Sequence, residues 1–192
     1  MTKSRLEAFS DGVIAIIITI MVLELKIPHD TGWHSLRPLL IDLSSYALSF
    51  TLVAIYWGNH HHLLHTVAHV NSRILWANIH LLFWLSLIPF ATRWVNETEF
   101  SNFTVATYGG LQTICGIAYY ILIRTISGSP GQSGHLAESL AKQSRKGVIS
   151  QIIYISSVPL AFVHPVISSM LFIIVALIWL IPDRNIEQAL KQ

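Results

Sequence analysis

Charge is scarce in this chain: Asp, Glu, Lys and Arg make up 11% of its 192 residues, less than half of the roughly 25% usual in a soluble domain. Cysteine is nearly absent. Cys115 stands alone inside an apolar run, so an intrachain disulfide is excluded and the redox compartment stays open. No acidic residue lies between Asp42 and Glu97. A Gly-rich phosphate loop, a nucleophile elbow and a P-loop are all missing. The net charge of +2 is too small to argue for a nucleic-acid partner.

Apolar residues fill the space that charge vacates. They make up 53% of the chain, and the mean hydropathy is +0.56. Apolar runs cover 9–27, 39–58, 74–95, 103–126, 147–163 and 166–181, with the charges clustered between them, as hydrocarbon requires of spanning segments. Most reach the ~20 residues that cross a bilayer core; the last two, at 17 and 16, are short and are joined only by His164-Pro165, which predicts a tight helical hairpin. The fold class is therefore an all-α integral membrane protein with six transmembrane helices, forming a single domain over 1–192. Pro89 and Pro159 fall inside spans and predict kinks. The first span carries Asp11 and Glu24 and is followed by no small-residue cleavage site, so it reads as a retained helix rather than a signal peptide.

Lys and Arg set the orientation. Nine (Lys3, Arg5, Arg73, Arg124, Lys142, Arg145, Lys146, Arg184 and Lys191) fall on the side of the two termini, and three (Lys26, Arg37 and Arg93) on the other. The positive-inside rule places both termini in the cytoplasm. The stretch 127–146, rich in Gly, Ser and basic residues, reads as a cytoplasmic linker loop. Trp57, Trp76, Trp94 and Trp179 lie near span ends, as in an aromatic belt.

The first span is chemically unusual. Ser10 and Asp11 put a hydroxyl and a carboxylate where the apolar run begins. Two readings are open: a helix cap, or a functional group whose desolvation is offset by a partner. At about 100° per residue, Ile16, Ile20 and Leu23 fall within roughly 60° of one another, with Gly12 on the same stripe and Thr19 on its flank. Asp11 lies about 140° from Ile16, facing other helices of its own subunit. If the stripe lines a pathway, Asp11 holds the helix in place. An aliphatic stripe facing lipid or core is the plainer alternative.

Arg5-x-x-x-Phe9-Ser10-Asp11 at the start of a first transmembrane helix resembles the signature of the transmembrane protein 175 family of potassium channels. Tyr56-Trp57-x-x-His60-His61, Asn78 and Pro89-Phe90 are similar to that family's pattern further on, and the six-span layout extends the likeness over nearly the whole chain. The resemblance implies a homotetramer in which four first helices line a pore, with Ile16 at an isoleucine constriction and Ile20 and Leu23 continuing the apolar stack. Gly12, Thr19 and Glu24 would flank the pore. The absence of a Thr-Val-Gly-Tyr-Gly run agrees, and a hydrophobic ring works by dehydration and width rather than coordination. The implied function is a potassium-preferring cation channel in the cell (inner or plasma) membrane, not an enzyme, with no cofactor beyond permeant K+.

Ten histidines are many, and five cluster: His60, His61, His62, His65 and His69. His61, His65 and His69 share a helix face at a spacing that can chelate zinc. With His29, His34 and His164 on the outer side, too few remain for the histidine boxes of a membrane metalloenzyme. A cytoplasmic-end network of Arg5, Phe9, Ser10, Asp11, Trp57, His61 and Asn78 is the preferred reading, and histidine titration would make it pH-sensitive. His80 reads as an interior histidine, Asp42 as a cap or interfacial residue, and Gly109-Gly110 as close helix packing. The alternative function is a proton- or metal-ion-coupled transporter using the His/Asp cluster. Such a transporter would show polar groups and broken helices at the midplane, where the first helix here is aliphatic.

Overall fold

The computed structural model describes residues 1–25, 27, 32, 36–129 and 135–180, with backbone alone at 37–38 and 135–145. His29, His34, Lys26, Arg184, Lys191, the end of the last span at residue 181, and the side chains of Arg37, Lys142 and Arg145 lie outside the described residues.

The described chain forms seven helices and no strand: α1 (Lys3–Leu23), α2 (Leu36–His65), α3 (Ser72–Leu85), α4 (Ile88–Glu97), α5 (Asn102–Ser127), α6 (His135–Val163) and α7 (Pro165–Leu180). Five segments are long and apolar enough to cross a bilayer, with α3 and α4 together supplying one of them. The apolar α7 has 16 residues, about 24 Å at 1.5 Å per residue, short of a ~30 Å hydrocarbon core.

The helices depart from the hydropathy boundaries where polar residues are good helix formers. α1 begins at Lys3, six residues before the apolar run, with Thr2 extended at its N-cap position. Ser10 and Asp11 are thus well inside the helix, which removes the capping reading. α2 likewise continues through the histidines to His65. The linker read at 127–146 is helical from His135 onward. Its Gly and Pro breakers are confined to 128–134, and the following residues, His-Leu-Ala-Glu-Ser-Leu-Ala-Lys-Gln, favour helix.

The single span expected over 74–95 is broken between Leu85 and Ile88. Pro89 causes the break: it has no N–H for the Leu85 carbonyl, and it starts α4 at a position where none is needed. Leu87 instead bonds back three residues, to the Trp84 carbonyl. Pro159, by contrast, lies within an uninterrupted α6. α6 and α7 meet at His164, whose N–H bonds the Leu160 carbonyl at 2.9 Å.

α5 is the hub, packed on α3, α4, α6 and α7, while α1 packs on α2, α3 and α4. Small residues let α5 and α6 approach: a Cβ at Gly109 would collide with Ser157 Oγ, and one at Gly116 with Gln151 Oε1, whereas Gly110 faces open space. Half-buried polar side chains then stitch the helices, as Gln151 Nε2 donates to the Thr113 carbonyl and Trp179 Nε1 to Ser150 Oγ, both at 2.9 Å. Between helices in lipid such close contacts and hydrogen bonds replace the hydrophobic effect. Gly109→Leu is accordingly expected to lower stability by about 1–3 kcal/mol or more, and Gly110→Ala to change it by less than ~0.5 kcal/mol, read as loss of the monodisperse peak after heating in detergent.

Candidate functional site

α1 has two faces. Leu6, Ser10, Ile14, Ile17 and Met21 are buried at spacings of three and four residues, which turns that face toward α2, α3 and α4. On the other face Ile16, Ile20 and Leu23 are 57%, 40% and 78% exposed. Gly12 is exposed on the same side, with open space around its Cα. Thr19 is exposed too, but its hydroxyl donates within the helix, to the Ala15 and Ile16 carbonyls at 3.0 Å. The polar oxygen is therefore tied to backbone and the stripe is aliphatic.

Buried hydrogen bonds hold this orientation. His60, Asn78 and Ser10 are fully buried, each from a different helix. Asn78 Nδ2 donates to Ser10 Oγ at 2.9 Å and Ser10 Oγ donates to the Leu6 carbonyl at 2.8 Å. Asn78 Oδ1, left as an acceptor, takes the proton of His60 Nε2 at 2.6 Å. The chain of donors thus runs in one direction, from α2 through α3 into α1. Beside it Trp57 Nε1 donates to Asp11 Oδ1 at 2.9 Å, and His61 stacks on Trp57 with ring centroids 5.8 Å apart.

The structure places the residues of the expected network in two separate clusters. Ser10 joins Asn78, and Asp11 joins Trp57. The buried histidine is His60 rather than His61, which stacks outside on Trp57 and meets His65 edge-on at 4.5 Å. Arg5 and Phe9 are exposed and stand outside both clusters. His80 is not interior: it is exposed and accepts the Trp84 Nε1–H at 2.9 Å. A signal for His60 was available, since it sits seven residues after buried Val53 and four before buried Leu64, on one helical stripe. Among the described residues no three His, Cys, Asp or Glu side chains converge where they could hold a metal ion.

At the opposite end of the stripe, Arg93 of α4 bonds Glu24 at 2.8 Å and Glu97 at 3.0 Å. Ile16, Ile20, Phe90 and these charged groups line a groove of about 730 Å³ between α1 and α4.

Residues 5–89 match the family described as the endosomal/lysosomal potassium channel TMEM175. A potassium channel from Chryseobacterium sp. (strain P1-3) is 51% identical over 192 residues, the whole of both chains. The chain belongs to the TMEM175 family. Its members are ion channels rather than enzymes, and the several apolar helices make this one a multi-pass membrane protein. The fold matches the crystal structure of a lysosomal potassium-selective channel TMEM175 homolog from Chamaesiphon minutus with a TM-score of 0.78 at 25% identity, over 92% of this chain and 95% of that one. The endosomal/lysosomal proton channel TMEM175 of Gallus gallus is 28% identical over 135 residues, 64% of this chain and 26% of that protein.

The network yields a direct expectation. Asn78→Ala strands two buried groups, the His60 Nε2–H and the Ser10 oxygen, and should lower stability by about 1–3 kcal/mol. Arg5→Ala should stay within ~0.5 kcal/mol. Thermal unfolding of the two variants in detergent, followed by circular dichroism, checks the contrast.

Proposed function

We propose that this protein, one channel domain over 1–192, is a homotetrameric, potassium-preferring cation channel of the cell membrane with both termini in the cytoplasm. Four α1 helices surround the pathway, Ile16 forms its constriction, and Ile20 and Leu23 continue it outward. The observation that carries this reading is an aliphatic stripe, exposed in the subunit, on a helix whose other face is locked by buried hydrogen bonds. A lipid-facing stripe needs no such fixed rotation, whereas a pore wall does. The names of the 51%-identical relative and of the structural match support potassium as the permeant ion.

An isoleucine ring offers no oxygen to a dehydrated cation. It discriminates through pore width and dehydration, and it closes by dewetting, so potassium preference should be moderate rather than strict. Glu24, Arg93 and Glu97 together leave one formal negative charge per subunit at the groove's outer end; a ring of four concentrates cations there.

Purified protein in a planar bilayer should give unitary currents whose reversal potential shifts toward potassium in a potassium/sodium gradient. Electrically silent or strictly proton-coupled flux would overturn the channel and favour the transporter. Ile16→Asn should raise conductance by about twofold or more and reduce potassium preference, because a polar ring lowers the dehydration barrier; an unchanged channel removes Ile16 from the constriction.

A further inference from the structure

Two clefts meet at Tyr120, and neither belongs to the pathway proposed above. The first, about 670 Å³, lies where α3 begins and α5 ends, and it is polar and basic: Arg73, Arg124, Asn71, Ser72 and Thr125 line it with Tyr120. The second, about 410 Å³, runs between α2, α5, α6 and α7; its walls include Leu52, Ile55, Ile117, Val148 and Val175, and again Tyr120.

Arg73 and Arg124 are exposed and make no ion pair with the described residues. The Arg124 guanidinium rests over the Tyr120 ring, 5.7 Å from its centre, which holds the cation at the junction of the clefts. No acidic side chain lines either cleft among the described residues. Along α5 the pair runs from Gly128 at the helix end to Gly116 in the apolar interior, about 18 Å at 1.5 Å per residue. That length is close to one leaflet, half of a ~30 Å hydrocarbon core.

A site basic at one end and mainly apolar at the other, together about a leaflet long, has the chemistry of a lipid with an anionic head. We propose that the joined clefts hold one anionic glycerophospholipid from the surrounding membrane, its phosphate between Arg73 and Arg124 and an acyl chain in the cleft between α2, α5, α6 and α7. Basic pockets between transmembrane helices recognise such head groups. The proposal needs only a membrane-embedded chain, so it stands or falls separately from the pore.

Native mass spectrometry of the full protein, titrated with phosphatidylglycerol or phosphatidylcholine of identical chains, tests it. Each basic side chain near an anionic lipid contributes about fivefold, so phosphatidylglycerol should bind on the order of 25-fold tighter. Arg73→Gln with Arg124→Gln should bring the two lipids within about threefold, and the corresponding double lysine variant should keep most of the preference. Gly147 lines the apolar cleft, and a Cβ there meets nothing within 4 Å, so Gly147→Phe should fill the cleft and weaken both lipids. Ile152→Trp, in the same wall, gives a second reading that does not depend on how the helix tolerates loss of glycine. Equal affinity for both lipids in the wild-type protein overturns the proposal. So does binding untouched by both cleft-filling variants, or displacement of the lipid by millimolar glycerol 3-phosphate, which would mark a site for free phosphate.

Discussion

Inside a bilayer a hydroxyl, an amide and an imidazole have no water to turn to, so each must find its partner in the protein. Ser10, Asn78 and His60 come from three helices, are fully buried, and bond to one another in a single directed chain through His60 Nε2, Asn78 and Ser10 Oγ. Turning α1 by one residue, about 100°, would carry Ser10 away from Asn78 and strand polar groups in an apolar interior. The chain therefore selects one rotation of α1, and that rotation decides which aliphatic side chains look outward. Asp11 and Trp57 add a second tie at the same end, at 2.9 Å. The proposed working surface at Ile16, Ile20 and Leu23 depends on polar atoms that never meet the ion.

The rest of the bundle supports that helix from behind. α3 supplies Asn78 and is held in turn by α5, which packs tightly on α6 because Gly109 and Gly116 carry no Cβ. The break at Ser86–Leu87 gives α4 its own direction and brings Arg93 to Glu24. A proline that would be a defect in a soluble helix here starts the element that braces the C-terminal end of α1. The two ends of α1 are thus held by different means: hydrogen bonds buried in the protein at one, an exposed ion triad at the other.

Much of this was legible in the residues. Period and hydropathy separated the aliphatic stripe of α1 from Asp11, because burial and exposure alternate at 3.6 residues whatever the surrounding lipid does. Hydropathy could not place helix ends, since it marks the hydrocarbon slab and the backbone ladder runs on through Lys3–Phe9 and the histidines of α2. The linker was misread for a related reason: composition over 127–146 mixes breakers at 128–134 with helix formers after them. The choice of His61 over His60 shows a different limit. Counting polar residues along a helix finds the cluster, but only the stripe containing Val53 and Leu64 tells which histidine is inside. Contacts between distant helices, such as Arg93 with Glu24, follow from the break in the third span and left no local signal.

The central claim, that the outward face of α1 lines the ion pathway, is tested most directly by cysteine accessibility. The native Cys115 is buried, so the background is quiet. A water-soluble, positively charged thiol reagent applied to channels in a bilayer should inhibit the current of Leu23→Cys and Ile20→Cys and leave Ile17→Cys and Met21→Cys unaffected. Inhibition of the buried pair with no effect on the exposed pair would contradict the account.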